Sequence, residues 1–129
     1  MIDLIGAPYD LSGPMLGSRI GPWAMRLLGF AQALRDLGLT VNDVGDSFPL
    51  SHEVPSRLAK RYAEGINACK ALRKSVSTSL KKGHLPVVMG GDHSLAMGTV
   101  AGALDVYGDD LAVVWIDAHA TFEPALEPT

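Results

Sequence analysis

Short apolar segments and longer amphipathic ones alternate along the chain. The clearest apolar segment is Leu111–Ile116, in which Leu111, Ala112, Val113, Val114, Trp115 and Ile116 show no polar alternation. A strand of that kind is expected to be buried on both faces, as in a parallel sheet covered by helices. Ile2–Gly6, Leu39–Val44 and Leu85–Met89 read as three further strands. Between the first two, Pro22 suits the first turn of a helix. Trp23, Leu27, Leu28, Ala31, Leu34 and Leu37 then recur at helical spacing until Gly38 closes it. After a loop at Gly45–Glu53, Pro55 opens a long helix whose stripe runs through Leu58, Tyr62, Ile66, Cys69, Leu72, Val76 and Leu80 and stops at Gly83. Ser94 is a helix-cap candidate for a last helix of small residues (Ala96, Gly98, Ala101, Gly102, Ala103) ending near Tyr107. Small residues there predict a close approach to the sheet.

Strand and helix alternating in this way, with short connectors, predict an α/β fold: a three-layer αβα arrangement around a parallel sheet. Residues 1–129 form a single domain in this reading, and residues 120–129, with two prolines and little periodicity, an irregular tail. The bulky Trp23, Trp115 and Tyr62 are expected in the core, and Cys69 is expected to be inertly buried.

Composition narrows the classes of function. The chain is 47% hydrophobic and 19% charged, as globular proteins are. Its formal charge of −3, from 11 basic and 14 acidic residues, comes with no basic cluster denser than Lys81-Lys82, which argues against a nucleic-acid partner. No apolar run approaches the roughly 20 residues of a membrane span, and the first residues lack a basic leader, so no membrane partner is expected. With the single Cys69, the expected location is cytoplasmic.

Candidate chemistry gathers at the ends of two predicted strands. VVMGGDHS places Asp92 and His93 after one, and WIDAH places Asp117 and His119 after the other. Ligands bind at the carboxyl ends of strands in open α/β sheets. If the strand period of two persists, Asp117 and His119 face the same way and offer an oxygen and a nitrogen to a common metal. Taken alone, the Gly-Gly-Asp-His turn could merely cap the next helix through Asp92 or Ser94. His84, in a helix stop, reads as a solvated histidine or one at the helix C-terminal dipole. His52 reads as a loop residue.

GGDHSLAMGTVAG followed by LAVVWIDAH resembles the ureohydrolase family, which includes arginase, agmatinase and formimidoylglutamase. The glycine-rich opening IGAPYDLSGPMLGSRIGP and the segment VNDVGD are similar to the family's first strand and loop and to the Asp-x-Gly-Asp of its arginase branch. The resemblance implies an arginase-like fold, a Mn²⁺ cofactor, a guanidino small-molecule substrate and release of urea. It further implies that His93, Asp117 and His119 are metal ligands, Asp117 as the bridging one, and that Asp92 orients a ligand.

Two departures stand against that pattern. The family's Asp-Ala-His-x-Asp appears here with Thr121 in the last place, and no Ser-x-Asp-x-Asp occurs in these 129 residues. The expectation is therefore the N-terminal portion of an arginase-like ureohydrolase, its sheet truncated after the fourth strand, with no catalysis of its own. The uncovered strand edges and faces lead to an expectation of a homo-oligomer or of association with a full-length relative. The alternatives are a non-catalytic subunit pairing with such relatives, and a small anion-binding module using the GGDHS turn at a helix N-terminus.

Overall fold

The computed structural model describes residues 1–12, 16–50 and 58–118. Pro55, His52, His119, Thr121 and the tail 120–129 lie outside the described residues. Strand β1 (Ile2–Ala7) is central, flanked by β2 (Val41–Asp46) on one side and β3 (Leu85–Gly90) on the other, all parallel. Register pairs Ile2 with Val41 and with Leu85, and an irregularity between Leu4 and Ile5 lets β2 slip by one residue. The fold is α/β, as its pattern predicts.

Helices cover both faces of this sheet. Because side chains alternate along a strand, Ile5 and Ala7 point one way and Leu4 and Gly6 the other. Ile5, Ala7 and the paired Val88 meet Ala68, Leu72 and Val76 of α3 (Leu58–Lys81). On the opposite face Gly6 lies beside Arg26 of α1 (Gly21–Leu27). Alternation also turns Asp3 toward α3, where it is buried and fully hydrogen-bonded. Asn42 donates to Oδ1 at 2.9 Å, Ser79 donates to Oδ2 at 2.8 Å, and His84 Nδ1 lies 3.0 Å from Oδ2. Burial pushes the Asp3 carboxyl up, but these hydrogen bonds outweigh it and hold it below the usual range. His84 is thus a partner of a buried acid and not the solvated histidine its neighbours suggest.

The single helix expected after Pro22 is two helices, α1 and α2 (Phe30–Asp36), broken at Gly29. Gly29 sits at φ +76, a left-handed conformation that a side chain resists and that ends a helix. The predicted stripe faces outward on both sides of the break: Trp23, Leu27, Leu28 and Leu37 are exposed, Leu28 by 82%. In α3 the buried line is Gly65, Ala68, Leu72, Val76 and Ser79, about 60° round from the expected one, with Ser77 also buried, and Tyr62 and Ile66 face out. Trp23, Tyr62 and Trp115 are accordingly not core residues. Cys69 is half-buried, with its Sγ 3.5 Å from Ser94 O, and burial raises its thiol pKa.

Helix α4 (Leu95–Tyr107) approaches α3 rather than the sheet. A Cβ on Gly98 would lie 2.7 Å from Cys69 O, and one on Gly102 2.7 Å from Arg73 O, so the small residues seat one helix on the other. Arg73 and Asp105 close the far end of this contact, Nε donating to Oδ2 at 2.7 Å.

The expected fourth strand is not one. Leu111 leaves the turn after α4 in extended geometry, but Leu111–Ile116 pairs with no strand among the described residues, and Val114 and Ile116 are 86% and 94% exposed. An apolar run states that burial is favourable; a strand also needs a ladder partner. Leu85 N donates to Met1 O, so the next residue along β3, Pro86, turns its nitrogen toward the outer edge, where it has no hydrogen to offer. Val113, Val114 and Trp115 instead line an open cavity of about 400 Å³ with Pro86, Val88 and residues of α4.

Candidate metal centre

The site is built at the carboxyl ends of β1 and β3 from two turns that lock together. After β3 the chain turns at Gly91, where a Cβ would lie 1.9 Å from Tyr9 O, a space only glycine leaves open. Asp92 N then donates to Tyr9 O at 2.8 Å, and Ser12 N donates to Asp92 Oδ2 at 3.0 Å. The other oxygen of Asp92 accepts from Ser94 N at 3.0 Å and from the Ser94 hydroxyl. Ser94 stands at the cap position of α4, yet its hydroxyl makes no cap bond; the carboxylate of Asp92 meets the helix N-terminus instead. An external anion at this turn would therefore compete with a built-in one.

The turn after β1 is fixed by Asp10, which has no exposed surface. Gly17 N and Arg19 N donate to its Oδ2 at 2.6 and 3.1 Å, Arg19 Nε donates to Oδ1 at 2.6 Å, and the guanidinium completes an ion pair. Burial raises the Asp10 carboxyl, but the Arg19 hydrogen bond and the two backbone donors more than reverse this, and it stays below the usual range. On the α1 side, Arg26 bridges the acids of the Asp-x-Gly-Asp segment, with Nε 2.8 Å from Asp43 and NH1 2.6 Å from Asp46. The hydrogen bonds from Arg26 hold Asp43 below its usual value.

On this platform His93 and Asp117 come together. His93 Nε2 lies 3.4 Å from Asp117 Oδ2, the carboxylate side chain 12% exposed and the imidazole 64%. Trp115 stacks on the His93 ring, with centroids 5.1 Å apart and planes 19° from parallel, and its indole N–H donates to the same Asp117 oxygen at 3.3 Å. The role of Trp115 is the residue relation that pattern reading passed over. The period of two that aligns Asp117 with His119 aligns Trp115 with both, so the signal was available. His119 itself lies outside the described residues, and among those described no group of three or more His, Cys, Asp or Glu gathers as a metal cage. No helix among the described residues is long and apolar enough to cross a membrane.

A family profile described as the arginase family matches residues 1–128. Arginase from Staphylococcus aureus (strain MRSA252) is 37% identical over 123 residues, covering 92% of this chain and 40% of that protein. Arginase, non-hepatic 1 from Xenopus laevis is 37% identical over 128 residues, covering 97% of this chain and 35% of that one. Among solved structures, arginase from Bacillus subtilis superposes with a TM-score of 0.68 at 32% identity, over 81% of this chain and 34% of that one. Arginase from Bacillus caldovelox gives 0.61 at 34% identity, over 81% and 36%. The chain thus spans well under half the length of the proteins it matches.

Proposed function

The chain belongs to the arginase family, and from that premise we propose that it furnishes part of a manganese site for hydrolysis of a guanidino compound such as L-arginine, with His93, Asp117 and His119 as ligands. The observation that carries this reading is the approach of His93 Nε2 to Asp117 Oδ2 at 3.4 Å. Two donors at right angles on one six-coordinate ion, each about 2.1 Å from it, are about 3 Å apart. The pair therefore fits the coordination sphere of a single divalent ion with little rearrangement. An imidazole nitrogen with a carboxylate oxygen is also a donor set that manganese accepts.

A divalent ion held there supplies Lewis acidity and brings the pKa of water toward neutrality. The remaining work falls to the chain. Trp115 limits rotation of the His93 ring and directs one Asp117 oxygen. Asp92, tied to Ser12 and Ser94, fixes the backbone from which His93 projects, in the manner of groups that orient metal ligands from behind. His93 binds only in its neutral form, so metal affinity falls as the imidazole is protonated.

On their own, these 129 residues bind one Mn²⁺ weakly and release no urea. Thr121 offers a neutral hydroxyl where the family pattern has an acid, and the Ser-x-Asp-x-Asp carboxylates are not among them. Calorimetric titration with Mn²⁺, beside a urea assay with L-arginine, tests this. The expected result is one weak site that is lost in His93→Ala and strengthened in Thr121→Asp, with background urea throughout. Metal binding unaffected by His93→Ala, or arginine-dependent urea from the unmodified chain, overturns it.

A further inference from the structure

The turn that carries His93 is gripped from the β1 side at several points. Tyr9 O accepts from Asp92 N, and Ser12 N donates to Asp92 Oδ2. Gly91 packs directly on Tyr9 O and Ala7 O, and at the start of α1 a Cβ on Gly21 would collide with Gly90 O. The last residue of β3 and the two that precede His93 are thus held by one loop, which enters at Tyr9 and leaves at Gly21. On the side of that loop every one of these contacts is made by backbone. The grip is therefore only as firm as the conformation of the loop itself.

The buried pair of Asp10 and Arg19 sets that conformation. Asp10 stands between Tyr9 and Ser12, the two residues that bond to Asp92, and Arg19 stands two residues before Gly21. The carboxylate accepts from the backbone of Gly17 and Arg19 as well as from the guanidinium, so it ties the entering limb of the loop to the leaving one. A buried polar network whose members are satisfied is rigid, because any other arrangement leaves desolvated groups without partners. Asp3 offers the comparison. It is a second buried carboxylate with three partners, Asn42, Ser79 and His84, but it lies near the opposite end of β1, away from the Asp92 turn.

We propose that Asp10 and Arg19 are positioning residues for His93: their pair holds the loop that holds the Asp92 turn, and so fixes the imidazole against Trp115 and Asp117. The consequence for metal rests on the proposed role of His93 as a ligand, namely that Mn²⁺ affinity depends on a pair outside the ligand set.

The test separates positioning from stability, and begins without metal. In NMR spectra of the metal-free chain the Trp115 ring shifts the resonances of the His93 ring protons that it stacks on, and Trp115→Ala supplies the unstacked reference. Asp10→Ala, kept folded at low temperature, should move those resonances toward the reference. The double variant with Arg19→Met should regain stability without regaining the shift, because Gly17 N and Arg19 N still lack the carboxylate. Asp3→Asn should lower the unfolding midpoint and leave the His93 resonances in place. In calorimetric titration, Asp10→Ala and the double variant should each weaken Mn²⁺ binding by about tenfold, and Asp3→Asn should not weaken it. Unmoved His93 resonances in the double variant, or an equal movement in Asp3→Asn, overturn the proposal. Mn²⁺ binding that survives His93→Ala removes the metal role of His93 alone, and the positioning role then stands or falls on the metal-free resonances.

Discussion

Replacing Asp10 with alanine should be among the most damaging single changes available to this chain, though Asp10 touches no proposed ligand. The carboxylate has no exposed surface, and the Arg19 side chain that it neutralises is 13% exposed. Removing it takes the carboxylate from a nearly buried guanidinium and leaves two backbone N–H groups, of Gly17 and Arg19, without this acceptor. Breaking a buried pair from one side costs about 3–5 kcal/mol. Domains of this kind hold only about 5–15 kcal/mol in total. For a chain of this length the midpoint should fall by roughly 10–20 °C, read by circular dichroism on heating and checked by urea titration. Removing both partners together, in Asp10→Ala with Arg19→Met, takes away the nearly buried charge as well, so the double variant should be more stable than Asp10→Ala alone. A loss below about 1 kcal/mol in the single variant, or simple additivity in the double-mutant cycle, would refute the reasoning.

Acid should destabilise the fold through Asp3, Asp10 and Asp43, whose carboxyls all lie below their ordinary value. Groups depressed in the folded state contribute stability above the unfolded value, about pH 4, and lose it as pH falls through the folded ones. Unfolding midpoints should therefore drop below about pH 4, and Asp10→Asn should make that drop shallower. Gly98→Val should cost about 1–3 kcal/mol by overpacking against Cys69 O, measurable by urea titration, and an unchanged midpoint would show that α3 and α4 separate easily. Trp115→Ala should weaken Mn²⁺ binding at His93 without lowering the melting temperature by more than a degree or two, because the indole is already half-exposed. A large loss of stability with intact Mn²⁺ affinity would instead make it a packing residue.

How far the sequence carries depends on whether a signal is local. The β1 and β3 segments are legible because burial of a short apolar run is written into adjacent residues, and the extent of α3 because its apolar residues recur at helical spacing; β2 runs from Val41 to Asp46 with no buried residue, two residues on from the expected Leu39–Val44. His93 and Asp117 do approach each other, as their places after two apolar runs suggest, but they do so with Leu111–Ile116 unpaired among the described residues rather than from two strands of one sheet. The helix break at Gly29 was not legible, because a glycine between Leu28 and Phe30 is compatible with helix until tertiary packing selects its left-handed state. Leu111–Ile116 shows the complementary limit: its composition specifies burial, whereas pairing depends on what stands beside β3. The Asp3–His84 contact joins residues 81 apart in the chain. No spacing rule reaches that far.

The bond from Asp92 N to Tyr9 O joins residues that meet only after β1 and β3 have paired across the intervening three α-helices and β2. His93 is therefore set in place late as the chain collapses, after most of the loop-closure entropy has been spent. An ion captured there cannot act as a seed for folding. It should act as a latch on the finished structure, slowing the escape from the native state while leaving the rate of reaching it almost unchanged.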